Sequence, residues 1–334
     1  MPISLIAAAD DSGRRLDRIL RKALPDLPLS AIHRLLRKGG VLVDGKAMSA
    51  DYRVLAGQTI MLRSPVPSPK SQIPKPQSPV PSPYSLTDII LFEGAGLLIL
   101  NKPAGLRVHG RESLEDLVLS YLEPKLPPSL SFRPGPLHRL DRPTSGIIAF
   151  STNLEGARFF SAMMRNRILK KQYLALVSGV IEKTEIWEDK LARDGRRKKT
   201  FRSFGEAKTA LTKITPLLGD GVRTLVLAEI ETGRTHQIRA QAAAHGHPLL
   251  GDKKYGAMQN EALDYTGRFL LHAWRMEFSV KTVENTDNTQ YEGLPLGLPG
   301  GLPRRIEAPL PEKFFEKIQN IFGKGIISDL LSQL

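Results

Sequence analysis

The run His138-Arg139-Leu140-Asp141-Arg142-Pro143-Thr144-Ser145-Gly146-Ile147-Ile148 sets one carboxylate, Asp141, between two arginines and close to a histidine. Nearby positive charge favours the ionised form of a carboxylate. An ionised aspartate beside a turn can act as nucleophile or base on a polyanionic substrate that the arginines hold. A Thr-Ser-Gly turn and an apolar run follow, which places the carboxylate just ahead of a strand. Taken alone, the same residues would also suit a solvated loop carrying a surface ion pair.

A second polar cluster is Thr232-Gly233-Arg234-Thr235-His236-Gln237-Ile238-Arg239. Here a strand ends, Gly233 turns the chain, and Thr235 is expected to cap a helix running to Gly246. Arg239 falls about one turn into that helix, near its positive end. Such a helix start suits an anionic group, phosphate or carboxylate, although arginines also commonly cover a capped helix. In Lys170-Lys171-Gln172-Tyr173-Leu174-Ala175-Leu176-Val177 one tyrosine heads an apolar strand, a position where tyrosine is often core with a satisfied hydroxyl. Asn101-Lys102-Pro103-Ala104-Gly105-Leu106 reads as a turn after a buried strand, and Gly246-His247-Pro248-Leu249-Leu250-Gly251-Asp252 as a turn and loop.

The elements that must position these groups lie between residues 84 and 334. Apolar runs at 89–92, 97–100, 146–150, 173–177 and 224–230 predict strands, and 113–122, 154–166 and 235–244 predict helices. The two types are not regularly interleaved, so the expected fold class is α+β, a mixed and mostly antiparallel sheet with flanking helices. Residues 190–202 hold seven basic residues and one acid and are expected to form an exposed basic loop. The Gly-, Pro- and Asn-rich stretch 284–305 is expected to be a flexible insertion.

Composition narrows the partners. The net charge is +14 and 41% of residues are hydrophobic. Nucleic acid is the leading polyanion for such an excess. No apolar stretch reaches the length of a membrane span, and no signal peptide is expected at the apolar but short N-terminus. The chain has no cysteine, which excludes thiolate chemistry and suits a reducing cytoplasm. His245-Gly246-His247 has no paired carboxylates at metal-ligand spacing, so no metal is expected. Glu93-Gly94-Ala95-Gly96 is a fragment of a nucleotide-binding loop, and it sits between two short strands rather than before a helix.

The charge is concentrated. Between Ser12 and Arg63 there are 11 Lys and Arg against 4 Asp and Glu. Ser30 is expected to cap a helix with Ile32, Leu35 and Leu36 on its apolar face and Arg34, Arg37 and Lys38 opposite, ending at Gly39. Val41-Leu42-Val43-Asp44-Gly45-Lys46 predicts a strand and an Asp-Gly turn. Residues 64–83 contain 8 prolines in 20 positions and should form an extended spacer. The expected organisation is a small basic RNA-binding domain at 1–63, a proline-rich linker at 64–83 and a catalytic domain at 84–334.

Arg15-Leu16-Asp17-Arg18-Ile19-Leu20, the Ser30 helix and the Gly40–Lys46 turn together resemble the small α/β RNA-binding domain shared with a ribosomal small-subunit protein, the S4 type. From about residue 86 to 280 the order and spacing of the segments above resemble the RluA-type pseudouridine synthases. The His-Arg-Leu-Asp-Arg-x-Thr-Ser-Gly run is that family's catalytic signature. Pro143 stands where many members carry an acidic residue.

By this resemblance Asp141 is the catalytic carboxylate, Tyr173 the active-site tyrosine and Arg239 the basic residue that pairs with the aspartate. Arg139 matches the arginine that enters the RNA helix where the target uridine leaves. The Leu270-Leu271-His272-Ala273 segment matches a strand lining the site. His138, Arg142 and Arg234, with Arg15, Arg34, Arg37 and Lys38 of the first domain, are the other expected RNA contacts. The implied activity isomerises uridine to pseudouridine in structured RNA without a cofactor. Large-subunit ribosomal RNA is the first expected substrate and transfer RNA the second. The chain is expected to act as a cytoplasmic monomer, away from membranes. The competing reading is a non-enzymatic RNA-binding or ribosome-assembly factor with an idle site, and the intact Asp141, Tyr173 and Arg239 set argues against it.

Overall fold

Apolar runs become strands buried on both faces because helices cover each side of the sheet. The computed structural model describes residues 3–63, 84–126, 129–196, 198–203, 205, 207–256, 269–279 and 297–334. The expected spacer at 64–83 lies outside the described residues, as does 284–296 of the expected insertion.

In the N-terminal part the chain runs β1 (Ile3–Ile6), α1 (Leu16–Ala23), α2 (Leu29–Arg37), β2 (Val41–Val43), β3 (Lys46–Ala47) and β4 (Thr59–Leu62), with sheet order β1-β4-β2-β3. Asp44 and Gly45 both take positive φ, 47° and 81°, in the turn between β2 and β3, as an Asp-Gly hairpin requires. Gly39, at φ 65°, follows the end of α2 as expected. Ser30 is not the cap. Pro28 is, and its carbonyl accepts from Ala31 and Ile32, so Ser30 lies inside the first turn. The residues Arg34, Arg37 and Lys38 are exposed along this helix.

The second part runs β5 (Ile90–Gly94), β6 (Leu97–Lys102), α3 (Leu114–Leu122), β7 (Gly135–Pro136), β8 (Ser145–Ser151), α4 (Leu154–Arg165) and β9 (Leu169–Ser178). It continues through β10 (Glu185–Asp194), β11 (Lys199–Arg202), β12 (Lys208–Gly219), β13 (Arg223–Ile230), α5 (Gln237–Ala244), β14 (Leu271–Phe278), β15 (Arg305–Glu307), α6 (Glu312–Phe322) and α7 (Ile326–Gln333). The sheet order is β11-β10-β12-β13-β9-β14-β8-β6-β5, with β7 on β8 and β15 on β14. Neighbours are antiparallel apart from β14 and β8, so the sheet is mixed and mostly antiparallel.

Alternation along β6 and β8 sorts the core. Leu98, Leu100, Ile148 and Phe150 pack towards α3 and α5, while Leu97, Ile99, Ile147 and Ala149 pack towards Phe160 and Met163 of α4. Gly146 (φ 102°) allows the parallel β8–β14 contact, since a Cβ there would collide with the backbone of Ala273.

Residues 190–202 are not a loop. They supply the end of β10 and all of β11, paired through Leu191↔Arg202 to Asp194↔Lys199. Leu191 and Thr200 face inward and Lys190 faces solvent, while Arg193 and Arg202 share the inward face at its open edge, Arg202 pairing with buried Asp189 at 2.9 Å. Residues 297–305 are likewise part of the fold, because Leu302 is buried in the core with Phe160 and Met163, Leu298 packs against it, and Arg305 opens β15, which pairs with β14.

The two parts are joined directly. Asp11, fully buried, accepts hydrogen bonds from the Ser129 hydroxyl (2.9 Å), the Leu130 N–H (3.0 Å) and the Ser131 hydroxyl. Asp10 accepts from the Leu154 N–H at 2.7 Å, at the start of α4.

Candidate active site

Asp141 lies in the segment between β7 and β8, where the Thr144 N–H donates to its carbonyl (3.1 Å) and closes a turn. A buried lysine staples this turn. Lys102, at the end of β6, donates from Nζ to the carbonyls of Pro103 (3.0 Å), Leu106 (2.9 Å) and Arg142 (3.2 Å). Paired to three carbonyls, the buried ammonium avoids the cost of an unsatisfied charge.

Arg239 reaches the same point from α5, 98 residues later. Its Nη1 donates to Asp141 Oδ2 at 2.8 Å, and its Nε and Nη2 donate to Asp252 Oδ2 and Oδ1 at 2.6 and 2.9 Å. This is a two-point fork on Asp252, which is 1% exposed, with a third bond aimed at Asp141. The guanidinium also lies 4.1 Å from the centre of the Phe269 ring and 4.9 Å from that of Tyr255. Burial works against the Arg239 cation, but Asp252 and then Asp141 outweigh it and hold its pKa above the ordinary value.

The basic side chain recorded against Asp141 Oδ1 among the described residues is the His236 ring, with Nε2 at 3.6 Å, too far for a hydrogen bond. That oxygen remains for a substrate atom. His236, not Thr235, stands at the start of α5, in left-handed backbone (φ 55°, ψ 28°) with no side-chain cap. The Thr235 carbonyl accepts from the Thr200 hydroxyl instead (2.8 Å). The loop is closed by Gln237, whose Oε1 accepts from the Thr232 hydroxyl (2.7 Å) and the Arg234 N–H (3.0 Å). His236 Nδ1 is 2.9 Å from the Tyr255 hydroxyl, which accepts from the Thr200 N–H at 2.8 Å. A phenol that donates to Nδ1 leaves the ring proton on Nε2, towards Asp141, and one that accepts from Nδ1–H leaves Nε2 bare. Burial lowers the His236 pKa despite the nearby Asp141 charge, which favours the neutral ring.

These groups open on a cavity of about 410 Å³ whose lining includes Arg139, Asp141, Tyr173, Arg234 and Leu271, a volume within the range of small-ligand sites. Tyr173, on β9, is 7% exposed. Burial, reinforced by the Asp141 charge, pushes its pKa up, so the phenol is held neutral. Lys171 also lines the cavity, and burial brings its ammonium down to about 8. Leu271, from β14, supplies an apolar wall, while His272 points away to Ser145 (2.8 Å) and the Ala308 carbonyl (3.1 Å).

The expected RNA contacts divide. Arg139 is exposed at the cavity. Arg234 lines it, with Nε on the Thr209 carbonyl (2.9 Å). Arg142 is engaged with Gly105, through Nε to its carbonyl (2.9 Å), and is not part of the cavity wall. His138 lines the cavity, yet its Nε2 accepts from the Ala149 N–H (3.0 Å) and its ring stacks on Phe160. Burial, then Lys171, takes its pKa down to about 3, so it is a neutral brace rather than a cation for RNA. Arg15 lies in the N-terminal part, paired with Asp17 at 2.9 Å. Asp252, His236 and Tyr255 had no role in the sequence reading. Asp252 and His236 stood inside motifs singled out there, but which partner each takes depends on contacts far along the chain. His245 and His247 also diverge, to Asp189 (3.0 Å) and the Ser178 carbonyl (3.0 Å).

Comparison with known proteins agrees with this geometry. The profile of the RNA pseudouridylate synthase family matches residues 96–244, and that of the S4 domain matches residues 14–60. The chain is 31% identical over 332 residues to ribosomal large subunit pseudouridine synthase C of Escherichia coli (strain K12), covering 93% of this chain and 95% of that protein. It is 30% identical over 317 residues to the protein of the same name from Vibrio vulnificus (strain CMCP6), covering 93% and 94%. In fold it is similar to human RNA pseudouridylate synthase domain containing 4, with a TM-score of 0.53 and 22% identity over 71% of this chain and 94% of that one. The carboxylate–arginine pair at the mouth of a nucleoside-sized cavity, the sheet that carries it and these matches agree, and the chain belongs to the RNA pseudouridine synthase family, with an S4 RNA-binding domain ahead of its synthase domain.

Proposed function

We propose that the chain isomerises uridine to pseudouridine in large-subunit ribosomal RNA, acting as a monomer, with Asp141 as the catalytic carboxylate. The observation that carries this reading is the Asp252–Arg239–Asp141 chain, which fixes one carboxylate oxygen and leaves the other towards a cavity walled by Tyr173 and Leu271. The names of the bacterial relatives support the choice of RNA.

The reaction breaks the bond from ribose C1′ to ring N1 and makes one from C1′ to C5. A proton leaves C5 and N1 gains one, so no redox partner or group donor is needed. Asp141 attacks sugar or base, or removes a sugar proton. Tyr173, held neutral, suits stacking on the uracil, and removal of the C5 proton by its phenolate would work against its raised pKa. Arg239 holds Asp141 in place, and Arg139 fills the gap left when the uridine leaves its stack, a step costing a few kcal/mol.

The test is incubation of unmodified large-subunit ribosomal RNA and, separately, transfer RNA with the protein, followed by digestion to nucleosides and mapping of pseudouridine. New pseudouridine in the ribosomal RNA at a defined position is expected. Modification of transfer RNA alone would move the substrate, and none in either would return the chain to the idle RNA-binding reading.

A further inference from the structure

A second cavity, also of about 410 Å³, lies where the N-terminal part meets α4. Its lining is Gly13, Arg14, Arg15, Arg18, Arg53, Leu154 and Arg158. Five of these seven residues are arginines, four from the N-terminal part and one from α4. Like charges gathered in one cleft repel one another, so the arrangement costs free energy unless an anion enters.

The carboxylates nearby offset it only in part, three against five arginines. Asp11 is held by Ser129, Leu130 and Ser131, and Asp10 by the Leu154 N–H, and both keep a charge that acts on Arg14. Asp17 pairs with Arg15 at 2.9 Å. Two more arginines are tethered through carbonyls, Arg14 Nη1 to Ser131 (3.0 Å) and Arg53 Nη1 to Gly13 (2.8 Å), which orients them without cancelling their charge. Arg18 and Arg158 are exposed and have no hydrogen-bond or ion-pair partner among the described residues. Burial lowers the pKa of Arg14, Asp11 opposes it, and the charges of Arg158 and Arg18, both within reach, lower it further.

We propose that this cleft is a composite phosphate site for the RNA backbone, with Arg18 of the N-terminal part and Arg158 of α4 gripping the same stretch of the RNA whose uridine enters the Asp141 cavity. Asp10 and Asp11 are the docking device that builds it. They fasten the S4 domain to the synthase domain and so set the spacing between the two sources of arginine. The S4 domain then acts as one half of a clamp, rather than as a separate anchor on a tether. Guanidinium forks match phosphate oxygens in pairs, and a polymer of phosphates can occupy several arginines at once. The proposal rests on the reading of the chain as a synthase acting on structured RNA.

The test uses the full chain and a transcript of large-subunit ribosomal RNA, with binding measured across a salt series. The variants are Arg18→Ala, Arg158→Ala and the double. A charge-matched control, Arg305→Ala with Lys313→Ala, removes two positive charges from C-terminal elements. Each single variant should flatten the slope of log affinity against log salt by about 0.7–1, and the double by about twice that. At moderate salt the double should bind about tenfold more weakly than the control, with its single-turnover rate at saturating RNA unchanged. A double variant with the slope and affinity of the control overturns the proposal. So does an effect from Arg18→Ala alone, because then α4 contributes nothing and the site is not composite. Pseudouridine formation by the wild type is measured on the same RNA. Its absence would count against the synthase reading, whereas normal turnover with unchanged binding by the double variant would count against the cleft alone.

Discussion

Asp252→Asn should cripple the reaction although Asp252 does not line the Asp141 cavity. The carboxylate is 1% exposed and takes two bonds from Arg239, at 2.6 and 2.9 Å. An amide of the same shape offers one acceptor and turns an NH₂ group towards a guanidinium that has only donors. One charged hydrogen bond is lost and a buried N–H is left unpaired. At about 1.5–3 kcal/mol for a hydrogen bond to a charged group, the variant should lose about 2–4 kcal/mol of stability. Spread over a domain of this size, that is a fall in Tm of about 5–15 °C. Relief comes if Arg239 pivots, and any pivot withdraws Nη1 from Asp141 Oδ2. Misplacement of a reacting group by about 1 Å can cost a hundredfold, so kcat should fall by about 10–100-fold while RNA affinity holds. The assay is single turnover on RNA carrying tritium at uracil C5, which is released when the new bond forms, run well below the melting temperature. Circular dichroism melts follow the fold. A variant that turns over within about twofold of wild type would show that Arg239 does not depend on Asp252 to aim Asp141. Lost stability with an unchanged rate would refute the coupling in the same way.

Asp141→Asn should abolish pseudouridine formation while the fold and RNA affinity stay near wild type; a residual tenth of the normal rate would remove Asp141 from the chemistry. Arg139→Ala should slow turnover more on folded RNA than on a short unstructured RNA with the same uridine, and equal losses would make Arg139 a plain phosphate contact. His272 is buried between Ser145 and Ala308, and burial takes its pKa from 6.5 down to about 4. Its contribution to stability is therefore complete above pH 6.5 and drains away as the pH falls towards 4, a loss of about 3 kcal/mol at 1.36 kcal/mol per pKa unit. His272→Gln should show a flatter decline of the urea midpoint between pH 7 and 4.5, and parallel curves for the two proteins would refute the buried neutral ring.

Local pattern was a sound guide where the determinants lie within a few residues of one another. The helix expected at 113–122 forms as α3, Asp44-Gly45 turns the β2–β3 hairpin, and the apolar runs of β6 and β8 become interior strands, although the caps expected at Ser30 and Thr235 fell to Pro28 and His236. Local pattern misled where charge masked alternation. The basic residues of β10 and β11 suggested a loop, yet they belong to an edge hairpin, where lysine and arginine also discourage pairing with another sheet. The motifs around Asp141, Tyr173 and Arg239 stood out because each carries an unusual concentration of charge or an aromatic group at a strand end, and the fold brings the three to one cavity.

The sequence could not supply distance. Arg239 meets Asp141 across 98 positions and Asp252 across 13, and only the packing of α5 against the sheet puts one guanidinium between both carboxylates. His138 looked like an RNA-facing cation, and the Ala149 N–H and the Phe160 ring made it a neutral brace. Asp10 and Asp11 were two acids in a basic region until the fold placed Ser129, Leu130, Ser131 and Leu154 against them. Residue types and spacing thus determined which groups this chain has for chemistry. Burial and long-range contact decided which of them are charged, which are free, and which face the same space.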